Sequence, residues 1–409
     1  MSQIIFTNAM VLDPEKGALI GERNVLVEDG MIAAVSVAAV PRKDAQVYDL
    51  KGRTLMPGLC DAHVHVTAVT PDFAALRHWS PSYVTARAAG VLKGMLMRGF
   101  TTVRDAGGAD YGLARAVDEG YVAGPRILFC GKALSQTGGH GDMRGPGEHG
   151  LGECFCCAGL GHVCDGVTEV RRAARNEIRK GANQIKIMAS GGVSSPTDRI
   201  SNLQFSVEEM SAIVGEAAAA GLYVMAHAYT AGAVNRALEC GVRSIEHGNL
   251  LDGTSIELFR KMDAFLVPTL STYHALLDEG VEAGLPADMH GKIAEVMDAG
   301  MTALELADKG GVRIAYGTDL LGSMHRHQSN EFTLRAQVQT PDSIIRSATT
   351  VAAELFGLAG QIGVVAEGAR ADLLVVDGNP FDDLALLQDQ GRRMPAIMKD
   401  GVFCKNELG

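Results

Sequence analysis

Aromatic residues make up only 5% of this 409-residue chain, and tryptophan occurs once. Broad stacking surfaces for single-stranded nucleic acid are therefore not expected. Basic residues are also in deficit, with 37 Lys and Arg against 48 Asp and Glu, giving a formal net charge of -11. An acidic chain does not concentrate polyanions, which argues against DNA, RNA or an anionic membrane as partner. No apolar run reaches the roughly 18 residues needed to span a bilayer. The opening segment MSQIIFTNAMVLDPEKG has neither a basic start nor a long apolar stretch, so no secretory leader is expected. The expectation is a cytoplasmic enzyme acting on a small molecule. Two nucleotide signatures are missing as well. No G-x-G-x-x-G follows an early strand, and GGADYG (residues 107–112) fits neither that fingerprint nor a P-loop. Paired C-x-x-C knuckles are lacking among the eight cysteines. The cluster CFCCAGLGHVC, with Cys154, Cys156, Cys157 and Cys164, accordingly reads as thiols in a surface insertion rather than a structural zinc site completed by His162.

What the chain has in quantity is glycine, 49 residues, as expected for many strand-to-helix turns. Its length suits one large domain of about 300 residues and a smaller one. Residues 1–56 read as short strands separated by Asp-Gly and Gly turns, and residues 361–409 have the same texture. Both ends are expected to form one small β-sandwich. Between them, over residues 57–360, apolar strands alternate with Ala-rich helical stretches. Eight candidate strands stand out: GLCDAHVHV, FTTVRDAG, RILFCGK, QIKIMAS, YVMAHAY, SIEHGN, FLVPTL and RIAYGTD. Eight such alternations are the arithmetic of a (β/α)8 TIM barrel.

His63 and His65 are the most informative pair. Residues two apart on a strand share a face, so both imidazoles point the same way and can grip one metal ion. In a barrel of this kind, active sites gather at the C-terminal ends of the strands. The fourth strand carries Lys186, the fifth His227, the sixth His247 and the eighth Asp319. Singly, each has an ordinary explanation. A lone histidine is often hydrogen-bonded core, and Asp319 after Gly-Thr can cap a helix. Lys186 between Ile185 and Ile187 would suffer desolvation unless paired or chemically changed. Together, in order and at the right strand ends, they point to one site.

At these residues the chain resembles the amidohydrolase superfamily over essentially its whole length. The resemblance implies that His63, His65, Lys186, His227, His247 and Asp319 hold two divalent metal ions, with zinc suited to such donors. It also implies that Lys186 is carbamylated and bridges them. Burial lowers a lysine's pKa and makes the amine nucleophilic toward carbon dioxide. The segments SQTGGHGD, IKIMASGGVSSPTD, MAHAYT, IEHGNLLD and GTDLLGSMH resemble the imidazolonepropionase-related branch, and within it bacterial Xaa-Pro dipeptidases (prolidases). That implies hydrolysis of dipeptides or N-acyl amino acids with a free carboxylate by a metal-bridging hydroxide, and a homo-oligomeric assembly. Proline is the favoured C-terminal residue, with another apolar, an aromatic or a basic residue as alternatives.

Asp319 is then expected to take the hydroxide's proton and pass it to the leaving nitrogen. Tyr229, on the face of His227, is expected to donate to the developing oxyanion, though packing would equally explain a buried tyrosine. His140, in a loop with Gly138, Gly139 and Gly141, and His325, after the eighth strand, are candidate substrate contacts. Arg104 and Asp105 are candidates for substrate binding, with an internal ion pair that shapes the barrel as the favoured reading, and Glu246 is expected to point away from His247. Two further activities, a mononuclear deaminase and a cyclic amidase, fit less well. MAHAYTAG offers no glutamate base after the fifth strand, while Lys186 is present. A scaffold protein of the same fold is expected to have broken ligand positions, and here all six are intact.

Overall fold

The computed structural model describes residues 3–40, 44–149, 158–286 and 289–409. Cys154, Cys156 and Cys157 fall outside the described residues, while Cys164 is buried.

Each of the eight expected barrel strands is present. The first three are Leu59–Val64, Phe100–Asp105 and Arg126–Phe129, paired side by side in parallel. The third then breaks at Cys130-Gly131-Lys132 and resumes as Ala133–Ser135. Gly131 turns the chain there with φ +73, and a Cβ on it would lie 2.0 Å from Glu177 Oε2, so glycine is favoured. The resumed piece pairs with the fourth strand, Ile185–Met188. The fifth to eighth strands follow in order: Val224–Thr230, Ser244–Leu250, Phe265–Val267 and Arg313–Ile314. Ala62 N donates to Tyr316 O and Asp319 N to His63 O, which ties the eighth strand's end back to the first. These bonds close the barrel and carry Asp319 to the histidine pair.

Helices cover the outside. Pro81–Met97 begins with proline in its first turn, where the missing N–H costs nothing. Val207–Ala219 opens on a capping box in which Ser206 and Glu209 satisfy each other's backbone N–H. The apolar faces of both join the main core, through Leu92 and Met95 in one and Met210 and Ile213 in the other.

The chain ends were expected to form a β-sandwich. Their hydrogen bonding gives one eight-stranded sheet that draws Ile4–Asp13, Ala18–Glu28, Met31–Ser36, Gln46–Asp49 and Thr54–Pro57 from the N-terminal side. Leu373–Val376, Ala396–Lys399 and Val402–Asn406 complete it from the C-terminal side. Alternation sorts its side chains. Leu55, Leu373, Val375 and Met398 fill the sheet's own core, while Met56, Leu374 and Ile397 join the barrel core. The sheet bends enough for Phe403, on an edge strand, to reach Phe6 with ring centroids 6.0 Å apart. Gly58 links this sheet to the first barrel strand, and its bare Cα leaves room for Thr101. Among the described residues no helix is long and apolar enough to cross a membrane.

Candidate active site

The C-terminal ends of the barrel strands open into a cavity of about 480 Å3. All six expected metal ligands line it: His63, His65, Lys186, His227, His247 and Asp319. His63 Nε2 lies 3.4 Å and His65 Nε2 3.3 Å from the same atom, Asp319 Oδ1. One ligand atom from each of these three residues falls within 4.8 Å of the others. His227 and His247 meet edge-on with ring centroids 4.7 Å apart, and His247 lies 5.1 Å from His63.

Second partners decide which nitrogen each ring offers. His63 Nδ1 is 2.7 Å from Glu246 Oε2, and His65 Nδ1 is 2.8 Å from the carbonyl of Gly107. An oxygen of that kind takes a proton, so Nδ1 donates and Nε2 keeps its lone pair. His227 is reversed: its Nε2 donates to the carbonyl of Gly191 at 3.1 Å, leaving Nδ1 as the lone-pair atom. His247 Nδ1 is occupied by Thr269 Oγ1 at 2.7 Å. Ligating histidines are held by such outer partners, and this donor set fits divalent metal ions.

The charge states agree for three of the four imidazoles; at His65 burial is outweighed by the hydrogen bond to Asp319, which raises it above the usual histidine range. Burial, reinforced by the nearby Lys186, pushes His63 well below the usual histidine range. Burial does the same to His227 and takes His247 to about 3. All three stay neutral, as ligation requires. Burial works against a charged Asp319, yet His63 and His65 hold it below the usual carboxylate range. Burial also lowers Lys186. Among the described residues its ammonium makes no hydrogen bond, although it is only 1% exposed.

A model of the amidohydrolase family matches residues 54–403, most of the chain and every residue of this site. The chain belongs to the amidohydrolase family. It is 33% identical to ochratoxinase from Aspergillus niger over 99% of its own length and 87% of that protein's. A prolidase solved with N-methylphosphonate-L-proline superposes with TM-score 0.97 at 48% identity, covering 99% of this chain and 100% of that one. A Xaa-Pro dipeptidase with methionine in its active site gives TM-score 0.88 at 28% identity, over 99% and 100% of the two chains. This amidohydrolase is thus a hydrolase of amide bonds.

Its remaining expected residues divide. Tyr229 stands edge-on to His227 at 4.7 Å, and its hydroxyl lies 3.2 Å from that of Tyr273. His140 stacks on His227 at 4.2 Å and lines the cavity. His325 is not brought there. It binds the carbonyl of Ala68 at 3.3 Å and faces a separate hollow with Arg98 and Arg326. The turn Gly322–His327 carries its ring to the far side of the loop that follows the first strand.

Two expectations on charged residues are corrected. Glu246 was to point away from the site, but it reaches the barrel interior and binds His63. Strand alternation fails because His247 has φ +74, so consecutive side chains both turn inward. Arg104 does form a buried ion pair, with Glu246 at 2.9 Å rather than with Asp105. Asp105 instead accepts the backbone N–H groups of Val66, Gly107 and Ala109 and fixes the loops beside His65. Sequence reasoning missed Glu246 as a support, and also Tyr273, Ser195 and Asp198.

Proposed function

We propose that this amidohydrolase cleaves the amide bond of dipeptides or N-acyl amino acids bearing a free carboxylate, with Xaa-Pro dipeptides preferred. The observation that carries this is the pair His63 and His65, whose Nδ1 atoms are tied off and whose Nε2 atoms lie 3.4 and 3.3 Å from Asp319 Oδ1, with His227 and His247 beside them in the same cavity. The likeness to a prolidase solved with a proline phosphonate supports proline. His63, His65 and Asp319 would hold one divalent ion and His227 and His247 a second, both zinc, with Lys186 spanning them. A lysine lining the cavity whose pKa is lowered by burial supports its conversion to a carbamate, an anionic bridge that offsets cationic charge. Two bound metal ions supply a water made acidic near neutral pH and a polarised carbonyl.

The side chains do the rest. Asp319 turns Oδ1 to both imidazoles, so Oδ2 is the atom that takes a proton and returns it to the leaving nitrogen. Tyr229 donates its hydroxyl to the oxyanion as it forms. Phe73, Met143, Leu160, Val193, Leu276 and Leu321 give the cavity apolar lining that suits an apolar C-terminal residue. The same lining favours a second reading, an aromatic or other apolar residue in place of proline.

An assay panel separates the readings: Ala-Xaa dipeptides over all Xaa, N-acyl amino acids and hydantoins, with kcat/KM for each. The expected result is the highest kcat/KM for Ala-Pro. Turnover confined to hydantoins would overturn the proposal, and a maximum at Ala-Phe would establish the second reading.

A further inference from the structure

A second hollow, of about 320 Å3, lies between the helix Pro81–Met97 and the turn Gly322–His327, separate from the cavity of the six proposed metal ligands. Arg87, Gly90, Gly94 and Arg98 line it at spacings of three and four, so they share one face of the helix and its end. The two glycines leave that face bare, and a Cβ on Gly90 would meet nothing within 4 Å. Ser323 and Arg326 contribute to the lining from the turn.

The charge of this hollow runs against that of the chain. Acidic residues outnumber basic ones by 48 to 37 overall. Among the described residues, however, the hollow is lined by three arginines and by no aspartate or glutamate. Arg87 is exposed, and its guanidinium stands over the rings of Trp79 and Tyr83, 5.5 and 5.7 Å from their centroids, with no carboxylate paired to it among the described residues. Arg326 spends one edge on Glu279 and Nη1 on the carbonyl of Ser323.

Arg98 decides what the hollow can hold. It is 4% exposed. Its Nε donates to Gln328 Oε1 and its Nη1 to Gln390 Oε1, both at 3.1 Å and both neutral acceptors. Asp61 is joined to it only through Gln328, whose Nε2 donates to Asp61 Oδ2 at 2.9 Å. Nη2 is buried and has no partner among the described residues. A Cβ on Gly94, which lines the hollow, would lie 3.7 Å from that Nη2. A buried guanidinium with an unspent N–H and no counter-ion is costly, and an anion relieves that cost. Arginine forks match phosphoryl oxygens in geometry as well as charge. We propose that this hollow binds a phosphoryl group, as inorganic phosphate or a small phosphomonoester, on Arg98 Nη2 between Arg87 and Arg326.

The site would brace the segments behind the metal site. Gly322 N and His325 Nε2 both donate to the carbonyl of Ala68, at 2.8 and 3.3 Å, and Ala68 N donates to the carbonyl of His65 at 3.0 Å. A ligand held there by the native chain alone raises its stability by mass action.

The test is titration calorimetry of the zinc-loaded full chain with inorganic phosphate, with methyl phosphate and acetate in parallel. Repeating it on the metal-free chain removes any phosphate held by metal ions. The expected result is one phosphoryl ligand per chain in both forms, with acetate at least about 10-fold weaker. Tighter binding of methyl phosphate than of phosphate would identify the ester as the ligand. Arg98→Gln should abolish binding. Arg87→Gln and Arg326→Gln, at exposed positions, should each weaken it by about 10-fold or more and keep the test open if the Arg98 variant does not fold. Gly90→Leu fills the hollow while keeping all three arginines, and should also abolish binding. No saturable binding to the metal-free chain would overturn the proposal, and so would unchanged phosphate affinity in Gly90→Leu.

Discussion

Glu246 and His63 are joined by a 2.7 Å contact between residues 183 positions apart, and both are almost wholly buried. Arg104 holds the same carboxylate from the other side, at 2.9 and 3.0 Å. The chain Arg104–Glu246–His63 fixes one imidazole rotamer and aims Nε2 at Asp319. Glu246→Gln keeps the shape and weakens that hold. Metal affinity should fall about 10- to 100-fold, measured by titration of the metal-free protein with zinc. Unchanged affinity would mean that the glutamate serves Arg104 alone. Glu246→Ala should instead destabilise the fold by about 3–5 kcal/mol, because it leaves a buried guanidinium without its partner.

Lys186→Ala removes the proposed bridge. Activity should be abolished and metal content should drop, read by elemental analysis beside the dipeptide assay. Full activity with two metals bound would end the carbamate proposal.

For Tyr229→Phe the expected loss is at least tenfold in kcat, the usual scale for removing an oxyanion donor. KM should change little, since the interaction strengthens only as charge develops on the oxygen. A rate equal to that of the unaltered chain would return Tyr229 to packing against Tyr273.

The histidines also shape acid stability. Burial, followed by the charge of Arg98, takes His325 to about 3 in the fold against about 6.5 in an unfolded chain. Between those values the unfolded state binds a proton that the native state refuses. Stability therefore falls as pH drops from 6.5 toward 3. His325→Gln removes one such group, and His325 is not among the proposed metal ligands. Urea unfolding of the metal-free variant should show a slope of stability against pH shallower by about 1.4 kcal/mol per unit across pH 4–6. An equal slope would show that His325 protonates without unfolding.

The proposed metal ligands were legible because their pattern is local. His63 and His65 share a strand face by alternation. Lys186 stood out as a charge between two isoleucines, and His227, His247 and Asp319 lie on or just beyond the fifth, sixth and eighth strands. The supports were not legible. Ser195 and Asp198 lie in a loop with no periodicity, and only the crossing of two loops brings them to His140. His325 shows the converse, because proximity to Asp319 in sequence did not place it in the cavity.

The sequence by itself determined the barrel and the family and singled out the side chains proposed to carry the chemistry, since strand alternation and strand ends follow from backbone geometry alone. Tertiary structure decided how those side chains are held. Glu246 faces the site because His247 takes a left-handed φ of +74 that alternation does not anticipate. Each imidazole offers a particular nitrogen because its other one meets an oxygen from a distant strand or loop. Such partners are set by barrel closure and loop packing, and neither leaves a local trace in the chain.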